Sequence, residues 1–194
     1  MADFDRNKWD AKYRAAEHTA GGPCELLEAL ANVLPIAGNA LDLAGGAGRN
    51  AIWLARRGLA VTLADISPVA LEIAQRRADE AGVAITTLEI DLEQAPLPPG
   101  PWDVVLMSNY LDRTLLADIE AQLAEGGWLL VAHPTKKNLT RHRTPSARYL
   151  LEEGELPGLI AGLSDGGLET VVQREGWTAS GRHEAWLAAR RRAS

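Results

Sequence analysis

Between residues 40 and 134, five short apolar runs are separated by segments that mostly carry a helical period. The runs cover 40–44, 60–65, 84–91, 102–108 and 128–134. The segments 49–58, 67–82 and 111–127 read as helices, and only 92–101 is a plain proline-rich loop. Strands joined by helices must run parallel, and helices then cover both faces of the sheet. Ser67 before Pro68 and Gly82 after the apolar stripe mark a helix start and stop. Arg56 and Arg57 suit the negative end of the helix that stops at Gly58.

The alternation breaks after Pro134. Residues 135–154 are polar and irregular, and 168–177 and 182–191 read as two strands joined by a short turn. Upstream, 6–17 and 22–35 read as helices, the second with Pro23 in its first turn and Leu26, Leu27, Leu30 and Leu34 as its apolar stripe. The expected fold is α/β: one doubly wound sheet of about seven strands, mostly parallel, closed by a C-terminal antiparallel hairpin. One domain over 1–194 is expected, with 1–36 as a helical lid, 38–133 as a ligand-binding core, 134–166 as a substrate-side loop and helix, and 167–194 as the hairpin.

Composition removes several function classes. A net charge of −6 disfavours binding to phosphate backbones, so no nucleic acid is expected. No apolar run has the roughly 20 residues of a membrane helix. Cys24 is the single cysteine, which excludes an internal disulfide and a cysteine-rich metal site. The opening ten residues hold no signal-type apolar stretch, and with the single cysteine this leads to the expectation of a cytoplasmic protein; a monomer or homodimer is expected, a choice that the sequence leaves open. The four histidines show no metal-ligand spacing, and no metal is expected.

The chemistry concentrates in "LDLAGGAGRN", 41–50. Gly46, Gly48 and Ala51 satisfy the spacing of a dinucleotide loop, and Asp65 follows where such folds place a ribose-binding acid. That leaves an NAD(P)-dependent oxidoreductase open. Asp42, at the end of the strand, points elsewhere: a carboxylate there would repel a pyrophosphate and attract a cationic amine. Asp91 ends the third strand and could accept from an adenine amino group.

In these residues the chain resembles the class I S-adenosylmethionine-dependent methyltransferases, whose fold is Rossmann-like. Asp42, Ala44, Gly46 and Gly48 match their acid-and-glycine signature, with Ala44 in place of the usual first glycine. Asp65 in "ADISPVAL" matches their ribose acid, Asp91 in "EIDLEQ" their adenine acid, and "WDVVLMSNY" their fourth strand. "KWDAKY" and "AGGAGRNAIWLARRG" are similar to the small tellurite-resistance and thiopurine-type branch, in which an N-terminal helix folds over the cofactor.

The resemblance implies S-adenosylmethionine as cofactor, a small-molecule acceptor and in-line methyl transfer. It implies that Asp42, Ala44, Gly46, Gly48, Arg49, Asn50, Asp65, Ile66, Asp91, Leu92 and Ser108 bind the cofactor, and that Asn109, Tyr110 and Tyr13 serve the reaction. Several second readings stay open. Asp91 could be a plain turn acid. Arg49 and Asn50 could only cap a helix, and Trp9 and Tyr13, four apart on one helix face, could be packing aromatics. The basic segment with Lys136, Lys137, Arg141, His142, Arg143 and Arg148 reads either as a roof for an anionic acceptor or as a solvated loop. His133 could be a base or structural. No convincing base is visible, which tilts toward soft acceptors, sulfur, selenium or tellurium species, that are nucleophilic once ionised. A non-catalytic S-adenosylmethionine-binding module would share every cofactor residue.

Overall fold

The computed structural model describes residues 2–15, 21–161 and 167–192. The strand order is β3-β2-β1-β4-β5-β7-β6, a seven-stranded sheet. The chain divides into two compact units, Met1–Pro98 and Pro99–Ser194.

In the first unit, β1 (Asn39–Leu43), β2 (Ala60–Asp65) and β3 (Ile85–Glu89) are parallel, with β2 central. Leu41, Leu43 and Leu63 are buried, as expected of strands covered on both faces. α3 (Arg49–Arg56) and α4 (Pro68–Glu80) make the crossovers, and α1 (Ala2–Ala15) packs on α4. Ser67 caps α4 as the sequence predicts, its hydroxyl accepting from the Ala70 amide at 3.2 Å.

The second helix departs from expectation. α2 covers only Glu25–Ala29, and the chain continues to Leu34 in turns. The Arg57 guanidinium donates to the carbonyls of Ala31 and Leu34, so these groups need no helical partner. Pro23 lies outside the helix, while Leu26, Leu27, Leu30 and Leu34 are buried as the stripe predicts.

In the second unit, β4 (Trp102–Ser108) and β5 (Leu123–Pro134) are parallel, and β7 (His183–Arg191) pairs antiparallel with β5 and with β6 (Leu168–Trp177). The closing hairpin is as the sequence predicts. α5 (Leu115–Gln122) ends five residues before the expected glycine stop, and β5 begins at once. Trp102 pairs with Leu123 but Val104 with Trp128, so residues 124–127 bulge out of the ladder. A Cβ on Gly127 would lie 2.7 Å from the Trp102 carbonyl oxygen, which is why glycine stands there. Two short 3₁₀ turns, Lys136–Thr140 and Ala147–Tyr149, precede α6 (Glu155–Ala161). The expected end of the first helix, 16–17, and residues 162–166 and 193–194 of the expected loop-and-helix and hairpin regions lie outside the described residues.

Candidate functional site

The turn after β1 is built from left-handed residues. Ala44, Gly46 and Gly48 have φ of 51°, 56° and 81°. Glycine adopts this region freely, and alanine does so at a cost of about 1–2 kcal/mol. The Gly45 amide donates to the Ala64 carbonyl at 3.2 Å and the Gly48 amide to the Gly45 carbonyl at 3.1 Å. Gly45 was not singled out by the motif, yet a Cβ there would sit 2.7 Å from Asp42 Oδ2. The turn therefore lies directly against the acid that precedes it.

Asp42 is fully buried, and neither of its carboxylate oxygens has a hydrogen-bond partner among the described residues. Burial dominates its titration; the Arg49 charge and the nearby Ala51 amide favour the anion but do not offset it. Its pKa is raised to about 7, with Asp65 adding a smaller push in the same direction. A buried acceptor pair without a donor is costly and rare in native proteins.

Asp65 is engaged at both oxygens. Oδ2 accepts from the Gly46 amide at 2.8 Å, and Oδ1 from the Ser67 amide at 2.9 Å. Burial raises its pKa, and these amides work against the rise. A carboxylate oxygen carries more than one acceptor site, so each retains capacity for a further donor.

The N-terminal helix joins this constellation through a residue that the sequence reading passed over. Asp10, buried inside "KWDAKY", accepts from the Ser67 hydroxyl at 2.5 Å. Tyr13, one turn later, comes to the turn itself: a Cβ on Gly46 would lie 2.2 Å from the Tyr13 hydroxyl. Burial, and then the charges of Asp65 and Asp42, push the Tyr13 phenol pKa up, so it is protonated. Trp9 packs against Tyr13 with ring centroids 6.2 Å apart and carries Lys12 over its face at 4.3 Å. Trp9 thus packs within α1, while Tyr13 reaches the glycine turn.

The other candidates of this unit divide. Asn50 is buried, and its Oδ1 accepts from the Cys24 amide at 2.8 Å, tying α3 to the start of α2. Arg49 is exposed, with one long bond of 3.4 Å to the Gly22 carbonyl. Asp91 stands two residues beyond β3 rather than at its end. Its carboxylate caps the Glu93 amide at 3.0 Å and accepts from the Gln94 side chain at 2.6 Å, a local turn of the kind aspartate forms. Ile66 is half-buried and Leu92 buried.

In the second unit, Ser108 ends β4 and is buried. Asn109 follows at φ 60°, its amide donating to the Ala132 carbonyl at 3.0 Å and its side chain to Ser108 Oγ at 3.4 Å. Asn109 is exposed and Tyr110 half-buried. The basic segment is largely committed to local partners. Lys136 pairs with Glu152, Lys137 with Glu153 at 3.2 Å, and Arg141 lies 3.7 Å over the Trp177 ring. His142 bonds the Gly181 carbonyl at 2.8 Å, and Arg148 stacks on Tyr149. His133 is buried, and its Nε2 donates to the Tyr149 carbonyl at 2.6 Å. Burial lowers its pKa to about 4, which makes it a weak base.

A family model described as "Methyltransferase domain" matches residues 40–127, the stretch that holds the glycine turn and both buried acids of β1 and β2. Residues 40–127 are thus similar to a methyltransferase domain. A demethylmenaquinone methyltransferase of Thermus thermophilus is 38% identical over 98 residues. That stretch is 47% of this chain, and the chain spans only 44% of that relative. The magnesium protoporphyrin IX methyltransferase of Synechocystis PCC 6803, solved with bound SAM, shares the fold at TM-score 0.70 and 17% identity, over 98% of this chain and 96% of that one. TehB of Haemophilus influenzae does so at TM-score 0.68 and 17% identity, over 96% of this chain and 67% of that one. The likeness in fold to these two structures extends over nearly the whole chain.

Proposed function

We propose that this chain is an S-adenosylmethionine-dependent methyltransferase acting on a small acceptor that attacks as an ionised soft nucleophile, a thiolate or a selenium or tellurium anion. The observation that carries the cofactor part is Asp42, a buried carboxylate without a donor among the described residues, lying against a turn of left-handed glycines. A ligand bringing an ammonium group supplies the missing donor with a charge-assisted bond. A dinucleotide would instead bring a diphosphate to the same carboxylate, and like charges repel there with little screening.

When bound, S-adenosylmethionine supplies an electrophilic methyl on a sulfonium. The residues of this chain then hold and align it. Asp42 accepts from the amino-acid tail. Gly46 and Gly48 allow close approach of the backbone. Asp65 accepts the ribose hydroxyls with the acceptor capacity that its two amide bonds leave. Ile66, Asp91 and Leu92 serve the adenine end, Ser108 also serves the cofactor, and Asn109 and Tyr110 serve the reaction. Tyr13, protonated, offers a neutral hydroxyl rather than a phenolate. Alignment of this kind is the main demand of an in-line displacement.

The acceptor reading rests on weak basicity and on spent cations. His133, with its pKa lowered to about 4, is a poor general base, and general-base catalysis works best near the operating pH. Lys136 and Lys137 are paired with glutamates, so the acceptor reading rests on softness and not on a cationic roof over the acceptor.

Two measurements test the proposal. Calorimetry with S-adenosylmethionine, S-adenosylhomocysteine and NAD should give binding to the first two alone, and tight NAD binding would overturn the cofactor assignment. A methyl-transfer screen read by mass spectrometry should yield singly methylated products from thiols or chalcogen anions. Transfer only to amines, carboxylates or a lipid quinol would refute the acceptor class, and cofactor binding without any transfer would make the chain a non-catalytic module.

A further inference from the structure

Among the described residues, one cluster outside the methyltransferase constellation brings three metal-ligating side chains together. Glu153, Glu175 and His183 each present a ligand atom, all within 4.8 Å of one another. They come from three separate segments of the second unit: the turn before α6, strand β6 and the start of β7. This is why spacing along the sequence hides them. On the hairpin, Glu175 pairs with Ala185 and Trp177 with His183, so Glu175 and His183 are diagonal neighbours on one face.

His183 is the anchor. It is buried and held in place: its amide donates to Asn138 Oδ1 at 3.2 Å, its carbonyl accepts from the Thr135 amide at 3.0 Å, its ring meets Trp177 edge-on at 5.1 Å, and Thr135 Oγ1 lies 2.7 Å from Nδ1. With Nδ1 engaged by a hydroxyl, Nε2 is the nitrogen left to ligate. A histidine fixed through its second nitrogen is the usual arrangement around protein-bound metals. Glu175 Oε2 accepts from the Gly154 amide at 2.8 Å, which fixes that carboxylate beside the turn that carries Glu153 and leaves Oε1 available. Glu153 is ion-paired with Lys137 at 3.2 Å.

We propose that Glu153, Glu175 and His183 form a binding site for a divalent transition metal of the zinc class, which clips the β6–β7 hairpin to the turn at 152–154. One nitrogen and two carboxylate oxygens are a donor set that zinc accepts, with water completing the shell. Tetrahedral bonds of about 2.0–2.1 Å place ligand atoms about 3.3 Å apart. The two glutamates are exposed and can close that gap by rotation, while the buried histidine stays in place. The metal takes over the charge partner of Glu153, so the Lys137 ammonium is its competitor.

The test uses the full chain, with zinc and cobalt(II) as probes. Zinc should bind at one equivalent by calorimetry and raise the melting temperature. Cobalt(II) should give the visible bands of a low-coordinate site. Glu175→Gln and Glu153→Gln should each weaken binding at least tenfold and abolish the bands, whereas Glu152→Gln, beside the site but outside it, should change nothing. Lys137→Gln should tighten binding several-fold. Both glutamates are exposed, so these variants should fold, and circular dichroism verifies it. Equal binding by Glu175→Gln and Glu152→Gln would mean diffuse attraction to an acidic surface and would overturn the site, as would absence of zinc binding to the folded parent chain.

Discussion

Substituting Asp42 by asparagine separates what this carboxylate does for binding from what it does to folding. Its pKa rises from 3.8 to about 7, chiefly through burial. A carboxyl with a raised folded pKa favours the folded state when protonated and penalises it when ionised. Stability therefore falls as pH climbs from about 4 to about 7 and stays low above that. At about 1.4 kcal/mol for each pH unit, the full penalty is about 4 kcal/mol. Linkage assigns about 2 kcal/mol of it at pH 5 and about 4 at pH 8. Asparagine cannot ionise, so it removes the pH-dependent part, although its buried amide brings a pH-independent cost of about 1–3 kcal/mol. The stability of Asp42→Asn relative to the parent should rise by about 2–3 kcal/mol between pH 5 and pH 8, measured by urea unfolding without ligand. In the same variant, affinity for S-adenosylmethionine should fall roughly ten- to a hundredfold, the worth of a hydrogen bond to a charged group. A stability difference that does not change with pH would refute the buried-anion reasoning, and unchanged affinity would remove Asp42 from the cofactor's ammonium.

Asp65→Ala should weaken S-adenosylmethionine strongly in calorimetry and also lower stability, because the Gly46 and Ser67 amides lose their acceptor. Gly46→Ala should destabilise the chain, since the new methyl meets the Tyr13 hydroxyl at 2.2 Å; adding Tyr13→Ala should recover part of the loss in a thermal melt. Ala44→Gly should raise stability by about 0.5–1 kcal/mol, because φ of 51° is strained for alanine and glycine's extra chain entropy offsets part of the relief. Tyr110→Phe should reduce turnover more than cofactor affinity; equal loss of both in steady-state kinetics would count against its role at the acceptor.

The alternation of periods made the sheet legible, because strand and helix periods are local properties of the chain. Ser67 and Gly82 were legible for the same reason: caps act within a few residues. What failed depended on partners far along the chain. α2 was read too long because Arg57, more than twenty residues away, captures the carbonyls that a helix would otherwise use. β5 was read too short because Gly126 and Gly127 look like a helix stop, whereas they form a bulge against Trp102. In the site, the motif pointed to Asp42, Gly46 and Asp65, which the structure does bring into one constellation. It could not show Gly45 crowding Asp42 or Asp10 reaching Ser67, since both need the fold. An acid between the aromatic pair of "KWDAKY" was the one available hint of the latter. Asp91 carried the right spacing, and its spacing could not show that its carboxylate also accepts from Glu93 and Gln94, its own neighbours.

Asp65 and Ser67 wire three stretches of chain into one frame. The carboxylate fastens the turn behind β1 to the head of α4, and the Ser67 hydroxyl fastens α1 to the same point. A guest that bonds to Asp65 meets scaffolding already rigid, so little motion is left to freeze upon its arrival. The same wiring makes α1 a stakeholder in whatever happens at Asp65: a disturbance at that one side chain reaches the first helix through the Ser67 hydroxyl and through the Tyr13 phenol on which its charge acts.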